Sequence, residues 1–269
     1  MSPKKRVAFV GAGAMGGAIA RGLLSCGAVD ASHLAVADLS DAVRSSFAQE
    51  GAATFADARD MLVAFSADVV VLAVKPQVLQ AAVAPIASAL SGRLVVSIAA
   101  GVPIRTIEGL VGGARVVRCM PNLPMQASSG AVAITAGTKA TAEDVAYVAE
   151  LLGHLGVARV MREDQLDAAG VVCGCAPAFF ALFVDALTRA GIEAGMTAAD
   201  SREMVASTMR GTADQLLNGG LHPRAYMELV SSPGGTTIKA LRALEPGLVE
   251  ATEAAVDAAL ARTRELAGE

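Results

Sequence analysis

The chain is poor in large aromatic side chains. It has no tryptophan, and seven phenylalanines and two tyrosines give an aromatic content of 3% over 269 residues. Its C-terminal part nevertheless carries wide apolar helical faces that few aromatic side chains are present to fill. We therefore expect these faces to be covered by a second subunit rather than by a hydrophobic core formed within one chain.

Histidine and cysteine are also scarce, with three and four residues respectively. The pair Cys173 and Cys175 has no further cysteine or histidine near it in sequence, so it is a poor candidate for a metal site. Because no credible export signal precedes them, we expect the thiols to be reduced. The cysteines are Cys26, Cys119, Cys173 and Cys175, and the histidines are His33, His154 and His222.

The chain has no excess of positive charge and no apolar run of full membrane-spanning length. Its formal net charge of −4 gives no general attraction for nucleic acid, and we interpret Lys4-Lys5-Arg6 as a solvated tail. The uncharged stretch Ala168–Val184 contains Gly174 and Pro177 and is shorter than the roughly 18 to 20 residues that cross a bilayer. We interpret it as a buried core or interface segment, and we expect no membrane partner.

A buried-strand pattern at Val7–Val10 leads into a glycine-rich turn. Gly11 permits a tight turn, Gly13 lets the backbone approach a pyrophosphate, and Gly16 lets a helix pack close to a sheet. Cleavage of this apolar run as a signal peptide would destroy the turn, so we expect a cytoplasmic protein. The predicted dinucleotide contacts here are Gly11, Ala12, Gly13, Ala14, Met15 and Gly16.

Strand and helix patterns alternate through the first half of the chain, which predicts βαβ units and a mainly parallel sheet. Strands are predicted at 7–10, 34–37, 69–74, 94–98, 115–119, 131–135 and 158–161, and helices at 13–25, 42–50 and 79–90. From about Glu163 only helical patterns remain: one capped by Thr197, one beginning at Pro223, and a final one over Gly247–Leu266.

The expected fold is therefore α/β. A Rossmann-type, doubly wound parallel sheet is predicted over residues 1–162. An all-helical domain for substrate binding and dimerisation is predicted over residues 163–269.

Asp38 ends the second predicted strand. An acidic side chain there can accept hydrogen bonds from the adenosine ribose and repels a 2′-phosphate, which favours NADH over NADPH, although Asp38 could instead cap the next helix. No arginine follows at once, since Arg44 lies six residues later. Asn122 could approach the nicotinamide or the substrate, or serve the turn between two prolines. The further predicted cofactor contacts follow other strands and are Ala73, Val74, Lys75, Pro76, Ala99, Ala100 and Gly101.

Near the C-terminal end, Ser231–Thr237 reads Ser-Ser-Pro-Gly-Gly-Thr-Thr and precedes a helical pattern. Two glycines allow main-chain N–H groups to converge, a helix N-terminus adds positive dipole, and the hydroxyls add donors. Such a turn suits a carboxylate, although an ordinary loop before a capped helix would look similar. A dinucleotide site together with an anion site indicates a reductase.

Five blocks of the chain resemble the pyrroline-5-carboxylate reductase family, and they occur in that family's order. They are GAGAMGGAIA at 11–20, LAVKPQ at 72–77, SIAAGV at 97–102, RCMPNLP at 118–124 and SSPGGTTIKALRALE at 231–245. The resemblance implies hydride transfer from NADH or NADPH to a cyclic imine, giving proline. It also implies a homodimer interleaved through the helical domain, with larger assemblies such as a decamer in some members.

The resemblance also assigns roles at the substrate site. The second threonine after the glycine pair, Thr237, would hydrogen-bond the ring nitrogen and is the predicted catalytic residue. Glu163 matches an acidic residue of the family and would order the site, although a charge at a helix N-terminus is an equally simple role. The predicted substrate contacts are Glu163, Ser232, Gly234, Gly235, Thr236 and Thr237.

One block departs from the family pattern. Cys173–Phe179 reads Cys-Gly-Cys-Ala-Pro-Ala-Phe where the family usually has a Ser-Gly-Ser-Gly-Pro-Ala-Tyr type of turn, and Leu229 stands where some relatives have polar residues. Cysteine is close to serine in size but is a weaker hydrogen-bond donor, so we expect packing to be kept and hydrogen bonding to be weakened.

We consider three other functions, of which the first two stay open. A reductase of a six-membered cyclic imine carboxylate would need only a slightly larger pocket. A non-catalytic, dinucleotide-binding regulatory protein would keep the fold and lose the chemistry. A β-hydroxyacid dehydrogenase is disfavoured because Gly174–Ala194 contains no lysine or asparagine to act as an acid.

Overall fold

The computed structural model describes residues 5–267, with side chains described as far as Glu265. Lys4 of the predicted tail and residues 268 and 269 of the predicted helical domain lie outside the described residues. The described chain forms two compact units. One runs through Gly174 and includes the segment from Arg262 onward, and the other is Cys175–Ala261. The predicted boundary after residue 162 precedes this division and stays a prediction.

Eight strands form one sheet in the first unit. In chain order they are β1 (Val7–Val10), β2 (Leu34–Ala37), β3 (Ala53–Phe55), β4 (Val69–Leu72), β5 (Leu94–Ser97), β6 (Arg115–Pro121), β7 (Gly130–Ala136) and β8 (Gly156–Val160). Across the sheet the order is β3-β2-β1-β4-β5-β6-β7-β8, and only β6 and β7 pair antiparallel. This order confirms the predicted doubly wound, mainly parallel sheet.

The central strands are buried on both faces because helices cover the sheet from both sides. Every residue of β1, β2, β4 and β5 is buried. One face packs Phe9 against Ile19 and Phe47, and the other face packs around Met61 and Leu79. Continuous apolar strands of this kind are typical of a parallel sheet between two helical layers.

Twelve α-helices accompany the strands in residues 5–267. They are α1 (Ala14–Ser25), α2 (Asp41–Gln49), α3 (Ala58–Ala64), α4 (Pro76–Val83), α5 (Ala87–Leu90), α6 (Ile104–Leu110), α7 (Ala142–Gly153), α8 (Glu163–Ala169), α9 (Ala176–Glu193), α10 (Ala198–Gly219), α11 (Pro223–Leu229) and α12 (Thr236–Ala267). The predicted capping of α10 is confirmed, since Thr197 Oγ1 accepts from the Asp200 N–H at 3.1 Å. Pro223 is the first residue of α11, as predicted.

The prediction of a separate last helix from Gly247 is wrong. Helix α12 begins at Thr236 and continues through Pro246. A proline removes one helical hydrogen bond and can kink a helix without ending it. Sequence patterns also missed the short elements β3, α3 and α6, of three to seven residues, and the twelve-residue helix α7.

The apolar stretch Ala168–Val184 is not a buried core of the protomer. It lies in the helical segment Glu163–Glu193, in which a π-helical turn at Gly170–Cys175 joins α8 to α9. This is the one helix among the described residues that is long and apolar enough to cross a membrane by length and composition, and only 11% of its most apolar window is buried. The prediction that this stretch is a buried core segment is therefore wrong. The alternative, that it is an interface segment, stays a prediction.

Candidate active site

The glycine turn after β1 has the geometry of a pyrophosphate cradle. Gly11 has φ +87°, in the left-handed region, and its N–H donates to the Ala37 carbonyl at 2.8 Å. A Cβ on Gly16 would lie 2.6 Å from Ala73 Cβ, so α1 packs directly against the residue after β4. A Cβ on Gly13 would meet no atom within 4 Å. The space over Gly13 at the start of α1 is therefore open to an anion.

This turn lies at the point where the strand order reverses. Strand β1 pairs with β2 on one side and β4 on the other, so the turns after β1 and β4 flank one crevice at the carboxyl ends of the strands. The Ala73 N–H donates to Val10 O at 2.9 Å, and the exposed Lys75 is followed by Pro76 as the first residue of α4. The chain thus brings the glycine turn and Ala73–Pro76 together, and their cofactor contacts stay predictions.

The Asp38 carboxylate is fixed by two main-chain donors. Its Oδ2 accepts from the Ala12 N–H at 2.8 Å, and its Oδ1 accepts from the Ser40 N–H at 2.9 Å. Ser40, not Asp38, is the N-cap of α2, with Oγ accepting from the Val43 N–H at 3.4 Å. The alternative role of Asp38 as the helix cap therefore does not apply. Two oxygens with remaining acceptor capacity suit the hydroxyls of a ribose.

An open, mostly apolar groove of about 500 Å³ runs from the glycine turn past Asp38. Leu39, which is 92% exposed, and Val78 contribute apolar surface along it. Its other lining residues include Gly11, Ala58 and Val74. The groove combines an apolar slot for a flat base with an acidic residue for a sugar, so these residues fit the adenosine half of a dinucleotide.

Glu163 supports the loop that follows β5. Its Oε1 accepts from the Ile104 N–H, the first donor of α6, at 2.6 Å. The same oxygen accepts from Arg118 Nη1 at 3.2 Å, and Asp167 accepts from Arg118 Nη2 at 3.4 Å. The Arg118 side chain is only 5% exposed. Glu163 therefore ties α8 to the start of α6, shortly after Ala99–Gly101, and its predicted substrate contact stays a prediction.

Asn122 has its side-chain amide engaged by the main chain. Its Nδ2 donates to the Cys173 carbonyl at 3.1 Å, and its Oδ1 accepts from the Ala131 N–H at 2.8 Å. The residue is 9% exposed. The amide therefore holds β7 and the π-helical turn to the loop between two prolines, which favours the turn role.

The cysteines contribute little to the site by their chemistry. Among the described residues, no group of three or more His, Cys, Asp or Glu side chains could hold a metal ion. Cys119 in β6 is 1% exposed, and burial raises the pKa of its thiol, so that it stays protonated. Cys26, Cys119, Cys173 and Cys175 are all free thiols.

The second unit presents the predicted anion turn at the start of its longest helix. Gly234 has φ +69°, which only glycine adopts without strain, and the Gly235 N–H donates to Ser232 O at 3.0 Å. A Cβ on Gly235 would lie 2.3 Å from Ser232 Oγ. Thr236 and Thr237 begin α12, so their N–H groups have no acceptor within that helix. This turn can bind a carboxylate through main-chain donors and hydroxyls.

Large apolar side chains remain exposed throughout the second unit. Phe180 and Leu182 on α9 are 58% and 65% exposed, and Leu244 and Val249 on α12 are 45% and 44% exposed. An open cavity of about 930 Å³ lies beside the anion turn and is lined partly by Met227 and Leu241. Large exposed apolar patches mark surfaces that contact another protein, a membrane or a ligand.

Sequence reasoning did not predict the contacts of two arginines. Arg118 was noted only within the block at 118–124, and its burial between the buried Val117 and Cys119 does not follow from strand alternation, since neighbouring residues of a strand face opposite sides of the sheet. Arg44 was noted only as distant in sequence from Asp38, yet its Nη1 donates to the Asp38 carbonyl at 2.6 Å. A turn between β2 and α2 brings the two together, which the spacing in sequence does not reveal.

Comparison with known proteins assigns both parts of the chain. Residues 163–266 match the family model described as pyrroline-5-carboxylate reductase dimerisation, and residues 6–101 match that of NADP oxidoreductase, coenzyme F420-dependent. The chain is 37% identical over 268 residues to pyrroline-5-carboxylate reductase 3 of Macaca fascicularis, covering 98% of this chain and 97% of the relative. It is 36% identical over 245 residues to the pyrroline-5-carboxylate reductase of Escherichia coli, covering 90% of each.

Solved structures agree over nearly the whole chain. A pyrroline-5-carboxylate reductase from Coxiella burnetii matches with a TM-score of 0.92 and 31% identity, covering 98% of this chain and 99% of that one. The pyrroline carboxylate reductase of Plasmodium falciparum, solved with NADP bound, matches with a TM-score of 0.85 and 25% identity, covering 98% of both. The dinucleotide-binding sheet, the helical dimerisation unit and these matches place the chain in the pyrroline-5-carboxylate reductase family.

Proposed function

We propose that the protein transfers a hydride from a reduced nicotinamide dinucleotide to the C=N carbon of 1-pyrroline-5-carboxylate, giving L-proline. The observation that carries the proposal is that one chain combines an open crevice over Gly13, which suits a dinucleotide, with a two-glycine turn at the start of α12, which suits an anion. The relatives that match over nearly full length carry the name of this reaction. The wider class, an NAD(P)-dependent oxidoreductase that acts on a small molecule, follows from family membership.

The chain's own contribution is binding and alignment. The cofactor, when bound, supplies the hydride. Ser232 and the main chain of Gly234–Thr236 bind the substrate carboxylate, and the Thr237 hydroxyl holds the ring nitrogen. An imine that arrives protonated is already a strong electrophile, so the site needs no histidine to deliver a proton. Alignment of the two reactants alone is worth several powers of ten in rate.

Asp38 favours NADH within this proposal. Its fixed carboxylate offers acceptors to two ribose hydroxyls and repels a phosphate placed on the 2′ oxygen. The neighbour from Plasmodium falciparum was solved with NADP, so family membership alone does not choose between the two cofactors.

A second copy of the chain is the partner that we propose for the exposed faces of the helical unit. The match to a dimerisation model covers residues 163–266, which include the apolar segment Glu163–Glu193. We propose that this segment is buried between subunits rather than in lipid. The protein is further proposed to be cytoplasmic, to bind no nucleic acid, and to form a dimer or a larger assembly such as a decamer.

A comparison of two cyclic imines tests which ring size the protein prefers as its substrate. Purified protein would be given 1-pyrroline-5-carboxylate and its six-membered homologue with NADH, and kcat/KM would be measured for each. We expect the five-membered ring to be preferred. A preference for the six-membered ring would move the assignment to that substrate. Binding of NADH without reduction of either imine would establish a non-catalytic nucleotide-binding protein instead.

A further inference from the structure

Arg44 lies beside the residue that is proposed to hold the adenosine ribose. Its Nη1 donates to the main-chain carbonyl of Asp38 at 2.6 Å, and its side chain is 19% exposed. The guanidinium is therefore held in place at the turn between β2 and α2. An arginine at this turn is the group that accommodates a 2′-phosphate in NADP-binding sheets of this type.

A carboxylate already occupies that guanidinium. Arg44 Nη2 forms an ion pair with Asp41 Oδ1, three residues earlier in the first turn of α2, and the Asp41 side chain is 93% exposed. Asp41 thus occupies a guanidinium that would otherwise be free to pair with a phosphate, and its charge adds to that of Asp38 against any second anion.

We infer that Asp41 and Arg44 set the discrimination between NADH and NADPH: Arg44 is a phosphate-binding group that Asp41 blocks. The inference rests on the proposed placement of the ribose at Asp38, and it adds two residues that cofactor specificity would otherwise not involve. Asp38 repels the phosphate from the ribose side, whereas Asp41 competes for the cation that would bind it. Removal of the Asp41 charge should therefore raise the affinity for NADPH and leave the affinity for NADH unchanged.

Direct binding tests this inference without any imine. NADH and NADPH would be titrated by nicotinamide fluorescence, and adenosine 2′,5′-bisphosphate by calorimetry, on the whole protein. In Asp41→Asn we expect NADPH and the bisphosphate to bind at least about fivefold more tightly, as expected for a charge-assisted pair set free, with NADH changed less than about twofold. Asp41→Asn combined with Arg44→Gln should lose this gain.

Asp60→Asn is the matched control, because Asp60 in the first turn of α3 carries the same charge in the same unit. An equal gain in this control would show a general effect of net charge and overturn the inference. It would equally be overturned if Asp41→Asn left the NADPH/NADH affinity ratio unchanged, or if the double variant kept the gain. None of these results bears on whether the protein reduces an imine, so failure here is distinct from failure of the proposed reaction.

Discussion

The Ala12 N–H donates to Asp38 Oδ2 at 2.8 Å, so the glycine turn after β1 and the end of β2 are locked together. Asp38 also accepts from the Ser40 N–H. One carboxylate thereby orients the turn proposed for the pyrophosphate while it keeps acceptors for the ribose. We therefore expect cofactor affinity and cofactor choice to be coupled through this residue.

Replacement of Asp38 by serine should therefore have two effects. The NADPH/NADH ratio of kcat/KM should rise by about tenfold or more, because a charge that repels the 2′-phosphate is removed. Affinity for NADH should fall, because the glycine turn loses an anchor. Steady-state kinetics with both cofactors measures the ratio, and an unchanged or lower ratio would refute the role of Asp38.

The glycines of the turn should respond differently to alanine. In Gly13→Ala the new Cβ meets no protein atom within 4 Å, so thermal stability should be kept while nucleotide affinity falls. In Gly16→Ala the Cβ would lie 2.6 Å from Ala73 Cβ and 2.7 Å from Gly11 O, and stability should fall by about 1–3 kcal/mol. Thermal melts and NADH titrations separate the two, and full nucleotide affinity in Gly13→Ala would contradict the proposed approach of the pyrophosphate.

Thr237→Ala should reduce kcat more than it reduces stability. Loss of a hydrogen bond that is made in the transition state costs about a hundredfold in favourable cases. Thr237→Ser keeps the hydroxyl and should retain most activity. Thr236→Ala should also be mild, since Thr236 is proposed to act through its main chain. Activity of Thr237→Ala within about twofold of the parent would remove Thr237 from the mechanism.

The exposed face of α9 predicts the oligomeric state. The parent protein should sediment at micromolar concentration as a dimer or larger, and Leu182→Asp should shift it towards monomer because a charge would enter the buried interface. Val63→Asp is the control, since Val63 on α3 in the first unit is 83% exposed and lies outside the residues that match the dimerisation model. A parent that remains monomeric would contradict the assembly.

Asp144 should make stability depend on pH. It accepts hydrogen bonds from Arg115 Nε at 2.8 Å and from the Thr141 N–H at 3.0 Å, within the capping box of α7. Burial raises the pKa of this carboxyl, but the hydrogen bonds and charge of Arg115 together with the Thr141 hydrogen bonds outweigh burial and leave the pKa below its ordinary value. Its contribution is therefore present above the unfolded-state pKa, about 3.9, and is lost as the pH falls through the lower folded-state value.

Asp144→Asn should accordingly cost about 2 kcal/mol at pH 7, the scale of a hydrogen bond to a charged group. The difference from the parent should shrink below about pH 4. Glu143→Gln, in the same turn but exposed, should show little effect at either pH. Urea unfolding at several pH values measures this, and a cost that stays constant down to pH 3 would assign it to packing rather than charge.

Sequence patterns predicted the sheet well because its central strands are continuous apolar runs. Continuous apolar runs are typical of parallel strands that helices cover on both faces, as at Val7–Val10, Leu34–Ala37 and Val69–Leu72. Strand β3 escaped because three half-buried residues carry too little periodicity. The continuity of α12 was missed because the helical patterns before and after Pro246 were predicted separately, and a proline inside a helical pattern can either end or kink a helix.

The site was predicted where local chemistry suffices and was missed where the fold brings distant groups together. Glycine spacing and hydroxyl-rich turns are local, so the turns at Gly11–Gly16 and Ser231–Thr237 could be recognised from sequence, and their ligand contacts stay predictions. The contacts of Glu163 with Ile104 and Arg118 join residues far apart in the chain. The same holds for Asn122 and Cys173, and no local pattern reports such pairs.

The proposed reaction is tested by following the absorbance of NADH and of NADPH separately, with purified protein and 1-pyrroline-5-carboxylate. Proline formed would be quantified in the same samples. We expect rapid oxidation that depends on the imine, proline in equal amount to the cofactor consumed, and a faster reaction with NADH. Folded protein that binds nucleotide but oxidises neither cofactor and forms no proline would contradict the proposed reaction.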